Sequence, residues 1–389
     1  MAKVEQTWSA DTFDAIGIRA HGGQFVIQGI DEDEVKLEGN LEGRSFRNMN
    51  LEPSGRWLQI YTSGHHGDSQ FTLQLPKRKV WMVDIFSGRA QFKAENVKGR
   101  LHLMLGKGEV QVENCRGAFS VTSGNADVRL KHFVEVDTPE IPPLPKGERH
   151  IRLEDPESWQ DWGEDYWTQW GGEFGEKLLR RFFGENTGPN AGVRVQTGKG
   201  DVNLEDIDAK ACIIRAARGE ARLKQGRVGE LDMKIISGDI ECESCLPAGD
   251  WTIRTNRGDI HLSLPADTNA RLDVTTRQGD IQSKTPLVRV TRQGPGSWHG
   301  SRMVGTMGNK TEGKMPEIHI STLSGDIEIK TQPTTSPYYQ KSETVPESST
   351  STVTKKTDAY NTQLDVLTAL SEGRINVDEA ERLLEGLKS

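Results

Sequence analysis

The sequence predicts a mainly β protein: a single-stranded β-solenoid, or β-helix, of about 20-residue coils, with a Trp-rich helical insertion and a C-terminal helical hairpin. Three observations carry that prediction. A Gly-acid-apolar phrase recurs at Gly200, Gly219, Gly238, Gly258, Gly279 and Gly325, in steps of 19, 19, 20, 21 and 46. Apolar and polar residues alternate on both sides of these glycines. The chain of 389 residues is only 34% apolar yet holds 41 glycines, a composition too lean for a thick core and suited to a narrow one.

The register assigns a role to each position. Two and four residues after the Gly stand Val110 and Val112, Val202 and Leu204, Ala221 and Leu223, Ile240 and Cys242, and Ile260 and Leu262. Seven before it stand Leu101, Val193, Cys212, Leu231, Trp251 and Leu272. Period-two alternation on both sides means two short strands that each bury one face. The Gly then lies at the bend between them, where a residue without Cβ is at ease. A third apolar point follows at Val97, Cys115, Ile207, Val228 and Leu246. Such a coil cannot bury its face alone, but coils stacked about 4.8 Å apart share one continuous core, giving a rod on the order of 50 Å for ten coils. Upstream the phrase is looser, at Gly88, Gly108 and Gly124, with steps of 20 and 16. The long last step holds a Gly-rich insertion (293–314), after which one more coil is expected to follow the coil at Gly279.

The repeat also explains residues that look like chemistry. Residues 242–245 read CESC, but Cys242 is in register with Leu204, Leu223 and Leu262, Cys212 with Leu231, and Cys115 with Ile207. A small hydrophobe is the economical reading, since a zinc site needs four converging ligands and there is no second Cys pair. The residues after each Gly (Glu109, Asp201, Glu220, Asp239, Asp259, Asp280, Asp326) form an acidic ladder, with Lys107, Lys199, Arg218 and Arg257 as a basic ladder beside it. Calcium is the alternative for that ladder, but the G-G-x-G-x-D phrase of calcium-binding rolls is missing. The histidines are scattered, and neither H-E-x-x-H nor G-x-S-x-G occurs. No catalytic, cofactor or metal residue is assigned, and the expectation is a protein without enzymatic activity. A net charge of −8 speaks against nucleic acid as partner.

The organisation follows from where the rhythm stops. Residues 1–130 form the N-terminal part of the solenoid and 191–330 its C-terminal coils, with 289–314 expected as a mobile loop. Between them, 131–190 is a Pro-rich and Trp-rich insertion. Trp159, Trp162, Tyr166, Trp170, Phe174 and Leu178 advance by three or four residues, a helical stripe. Trp159, Trp162, Trp167, Trp170 and Phe174 are its candidate partner-binding residues, toward a protein, a membrane surface or the solenoid itself. Residues 331–360 read as a disordered Ser/Thr/Pro linker. Residues 361–389 read as a helical hairpin, with Gly373 ending the first helix and Asn376 capping the second. Leu367, Leu370, Leu383, Leu384 and Leu387 line its apolar face, too small a core to stand alone. Oligomerisation or docking is therefore expected of it.

Two resemblances accompany these motifs. The Gly-Asp-Ile coils at 88–128 and 193–330 resemble a bacterial β-strand-repeat domain of unknown function labelled "putative adhesin". Glu372, Gly373, Arg374, Ile375, Glu379, Ala380, Leu383 and Leu384 resemble a SHOCT-like hairpin module that accompanies such repeats in bacterial envelope-stress proteins. The resemblance implies a non-enzymatic scaffold or adhesin-like binding protein that works through self-association or a protein partner. No apolar run approaches a membrane span and no secretory signal opens the chain, so the expected location is the cytoplasm, or its membrane surface through the Trp-rich insertion. A carbohydrate-binding or carbohydrate-active β-helix and a polymerising, filament-forming solenoid are the alternatives.

Overall fold

The computed structural model describes residues 2–41, 49–62, 69–138, 192–285, 287–293, 300–308 and 315–333. They all belong to the first of two units, Met1–Gln340 and Lys341–Ser389. The described residues form strands, turns and one short 3-10 turn, Ala10–Thr12. The Trp-rich insertion, nearly all of the linker and the C-terminal hairpin lie outside them.

The chain opens with β1 (Ala2–Ser9) and the first coil, β2 (Ala15–Ile30). It continues through β3 (Glu34–Leu41), β4 (Met49–Ser54), β5 (Trp57–Thr62) and β6 (Ser69–Pro76). Three long strands then each bend through a coil: β7 (Trp81–Glu95), β8 (Lys98–Glu113) and β9 (Arg116–Glu135). The interruption thus begins after Glu135 rather than at residue 131. The stack resumes with β10 (Val193–Lys199), β11 (Val202–Arg218), β12 (Ala221–Ser237), β13 (Ile240–Pro247), β14 (Trp251–Arg257) and β15 (Ile260–Pro265). It closes with β16 (Ala270–Gln278), β17 (Ile281–Ser283), β18 (Val288–Gln293), β19 (Ser301–Met307), β20 (Glu317–Ser324) and β21 (Ile327–Gln332).

Pairing between coils is parallel, and the inward columns stand as the periodicity predicts. Leu204 pairs with Leu223, Leu223 with Cys242 and Cys242 with Leu262, and all four are at most 1% exposed. On the other arm Cys212, Leu231, Trp251 and Ile318 stack in the same way. Stacking equivalent residues leaves each buried side chain in contact with its counterparts one coil away, which is how a thin core stays dry.

Two registers depart from the sequence reading. Gly88, Gly108 and Gly124 do not share a column: the pairings Ser87–Leu105 and Arg89–Lys107 align Gly88 with Gly106, and Gly106 aligns with Gly124. Gly108 instead aligns with Ala90 and Ala126, and so with Gly200. The steps of 20 and 16 therefore mix two columns, each stepping by 18 in this region. The third apolar point also shifts, because Gly226 pairs with Ile207 and Cys245, while Val228 pairs with Ala209 and Pro247. Cys245 is buried where Leu246 was expected inside. All four cysteines are thus buried.

The cause is a second corner without glycine. Asn96, Asn114, His132, Asp206, Gln225 and Ser244 all have φ between 49° and 59°, the left-handed region. Each follows a residue paired with its counterpart one coil away (Glu95–Glu113, Glu113–Lys131, Lys131–Glu205, Glu205–Lys224, Lys224–Glu243), so the corners stack. One such residue reverses the alternation, and the inward side chains run Val110, Val112, then Cys115.

The coils at both ends are out of chain order. β14 and β15 are flanked not by β16 and β17 but by β20 and β21, and β16 and β17 lie beyond these. The final coil is inserted, not appended. It brings four buried isoleucines (Ile318, Ile320, Ile327, Ile329), whereas β17 has only the half-buried Ile281, and the leaner coil is the one left at the end. Likewise β5 and β6 pair with β2, which itself pairs with β7. Antiparallel strands cover both ends: β4 on β5, β3 on β6 and β1 on β3, then β19 on β16 and β18 on β19. Part of the expected mobile loop 289–314 is therefore a cap. Outermost β1 exposes Lys3, Glu5, Gln6 and Thr7, charge and polarity that discourage further strands from adding.

Candidate binding faces

None of the residues proposed for partner binding (Trp159, Trp162, Trp167, Trp170, Phe174, Leu367, Leu370, Leu383, Leu384, Leu387) lies among the described residues. The coil surface is built in columns.

The acidic ladder serves the backbone. The Asp201 N–H donates to Asp127 Oδ1 at 2.9 Å, Glu220 N–H to Asp201 Oδ1 at 2.9 Å, and Asp259 N–H to Asp239 Oδ1 at 2.8 Å. Asp326 N–H donates to Asp259 Oδ1, and Asp280 N–H to Asp326 Oδ1, both at 2.8 Å. At the bend the strand ladder breaks, and five aspartates, Asp127, Asp201, Asp239, Asp259 and Asp326, each accept the N–H of the counterpart on the neighbouring coil. Asp239→Ala should lower the unfolding free energy by about 1 kcal/mol, the usual worth of one such bond. Asp239→Asn keeps the acceptor oxygen and should cost less in the same denaturant titration. Equal losses would mean that charge, not the acceptor, is what matters.

Beside it runs a column that the sequence reading passed over. Ser123, Thr197, Thr255, Thr322 and Thr276 are buried at one register position. Thr197 Oγ1 donates to the Lys199 carbonyl at 2.8 Å, Thr255 Oγ1 to Gly238 at 3.1 Å and Thr276 Oγ1 to Gly325 at 3.0 Å. A hydroxyl three residues before the repeat Gly was a legible signal, since a buried bend needs donors for its carbonyls.

The thiols are quiet. Burial pushes Cys115 up to about 11 and Cys242 up to about 12, and it raises Cys212 and Cys245 too. None is a thiolate near neutral pH, so none is an activated nucleophile. Among the described residues no group of three or more His, Cys, Asp or Glu converges as metal ligands would.

The two arms of the coil present different outer faces. The second arm, after the bend, points Lys93, Arg129, Glu205 and Arg222 into solvent, and ion pairs such as Lys224–Glu243 at 3.2 Å link the coils. The first arm is less polar. Phe86 pairs with Met104, both half-buried on its outer side. In the adjacent column Asp84 holds Arg19 Nη2 at 2.6 Å and His102 Nδ1 at 2.9 Å. Burial works to raise the Asp84 carboxyl, but His102 and Arg19 outweigh it and keep it below the ordinary range. Further along, Arg194 and Ile213 share that column, and Arg215 Nη2 meets Asp232 Oδ2 at 2.8 Å. Among the described residues the large apolar side chain most open to solvent is Leu323, 48% exposed.

A stack of parallel coils with capped ends and patterned outer columns defines a β-solenoid-like protein. The chain belongs to the Toastrack DUF4097 family, which it matches over residues 14–330. Comparison with curated proteins finds no match. Among solved structures it is similar to a "putative cell adhesion protein" from Clostridium sporogenes, at 10% identity and TM-score 0.19 over 85% of this chain and 99% of that one. It is also similar to a "putative adhesin" from Parabacteroides distasonis, at 11% identity and TM-score 0.36 over 84% and 97%. A "putative adhesin" from Parabacteroides merdae matches at 10% identity and TM-score 0.24, over 84% and 95%.

Proposed function

We propose that the protein is a non-enzymatic β-solenoid scaffold, an adhesin-like binding protein that works by presenting ordered side-chain columns to a partner. The observation that carries this reading is the commitment of the repeated aspartates: Asp127, Asp201, Asp239, Asp259 and Asp326 accept backbone N–H groups of the next coil. Evenly shared structural carboxylates lack the asymmetry of an acid–base pair, whereas unlike outer faces suit binding. The names of the structural neighbours fit such a role. Residues 361–389 form the SHOCT-like hairpin in this proposal, and it supplies oligomerisation or docking in a cytoplasmic, envelope-stress setting. Among the described residues no helix is long and apolar enough to cross a membrane.

The carbohydrate reading is weaker because sugar-stacking aromatics are missing from the exposed described surface. Filament growth is disfavoured by the antiparallel caps at both ends. The test is light scattering of the full chain against a 1–335 truncation. Assembly by the hairpin predicts a larger mass for the full chain only; identical monomeric masses would remove that part of the proposal.

A further inference from the structure

We infer that the outer face of the first arm is the docking site for the acidic, aromatic segment 155–176 of the same chain. Four observations converge on it. First, this face is chemically unlike its counterpart: it mixes the apolar Phe86, Met104 and Ile213 with Arg194, Arg215 and Lys234, where the second arm carries polar and charged side chains such as Gln91, Lys93, Gln111 and Arg129. Second, burial on it is local. Arg215 points outward in the same column as Lys234 and Arg254, yet is 3% exposed, while Arg254 is exposed. Arg215 is thus buried more deeply than Arg254 in its own column, with its Nη2 on Asp232 Oδ2 at 2.8 Å.

Third, the segment has the complementary chemistry. Residues 155–176 hold seven Asp and Glu and no Lys or Arg, together with Trp159, Trp162, Tyr166, Trp167, Trp170 and Phe174. Carboxylates can pair with the guanidinium groups and indoles can lie on their faces or on Phe86. Fourth, the connection is local. The chain leaves the described stack after Thr138 and re-enters at Gly192, directly before the strand that carries Arg194. That strand pairs with the β9 residues Phe119–Asn125, so the connection 139–191 that contains the segment leaves and re-enters the stack at neighbouring coils. A tethered occupant has a high effective concentration and needs little intrinsic affinity.

The test is chymotryptic cleavage of full-length protein at the aromatic residues of 155–176. The wild-type segment should be protected relative to a free peptide of the same sequence. Arg194→Glu with Arg215→Glu should raise the cleavage rate by roughly tenfold, as the undocked population grows. Asp161→Lys with Asp165→Lys should do the same without touching the solenoid, which keeps the test open if the arginine variant unfolds. Combining the four substitutions should restore protection. Wild-type cleavage as fast as the free peptide would overturn the proposal and leave the face to an outside partner. Protection that grows with protein concentration would overturn it in favour of a second copy. Unchanged cleavage in the Asp161→Lys/Asp165→Lys chain would overturn it as well.

Discussion

Gly238→Ala is expected to lower the unfolding free energy by about 3–5 kcal/mol, a loss reserved for substitutions that strain the backbone or wreck packing. Gly238 has φ of 144°, and a Cβ there would sit 1.9 Å from the Gly219 carbonyl oxygen. The neighbouring coil cannot retreat, because Gly219 is itself held by its N–H bond to Ser237 at 3.2 Å and packs on Gly200 in the same way. The clash is with backbone, so no rotamer change relieves it. Urea titration should show a lowered midpoint, while Ser237→Ala, one residue away and half-buried, should shift it little. A Gly238→Ala chain within 1 kcal/mol of wild type would mean that the coils do not stack at this bend as described.

Trp251→Ala should cost about as much, roughly 3–5 kcal/mol, by opening a cavity in the core. The side chain is fully buried between Leu231 and Ile318, and its Nε1–H donates to the carbonyls of Val228 and Gly229, each at 3.2 Å. Trp251→Phe keeps most of the apolar volume and loses the donor, so about 1–2 kcal/mol is expected. In a stack each coil is stabilised by its neighbours. Amide exchange should therefore quicken first in β12, β14 and β20, with β7 and β8 following later. Uniform acceleration over the whole unit would point to a single cooperative block.

The inward columns were legible because burial on one face of a strand writes itself into the sequence with period two. Leu204, Leu223, Cys242 and Leu262 could be aligned by counting from a glycine, and Cys115, Cys212 and Cys242 were read as core residues on the same count, whereas Cys245 was not. The left-handed corner was not legible, since Asn, His, Asp, Gln and Ser all occupy it and no repeated letter marks it. Without that corner, Val228 and Leu246 were counted into the wrong column. Gly88, Gly108 and Gly124 misled for a related reason: two columns that both tolerate glycine lie two residues apart. The candidate partner-binding residues all lie outside the described residues. The first-arm face is a sum over coils, so no single stretch of sequence displays it.

By itself the sequence determined which side of each strand faces inward and roughly where each coil bends, because those are local consequences of alternation and of glycine. Tertiary structure alone decided which coil lies on which. Coils built to one pattern can stack on one another in several orders, so their succession is set by which edges bury the most apolar surface and which can afford to face a cap. That is why the isoleucine-rich coil at 317–332 sits inside the stack while the leaner one at 270–283 lies beyond it.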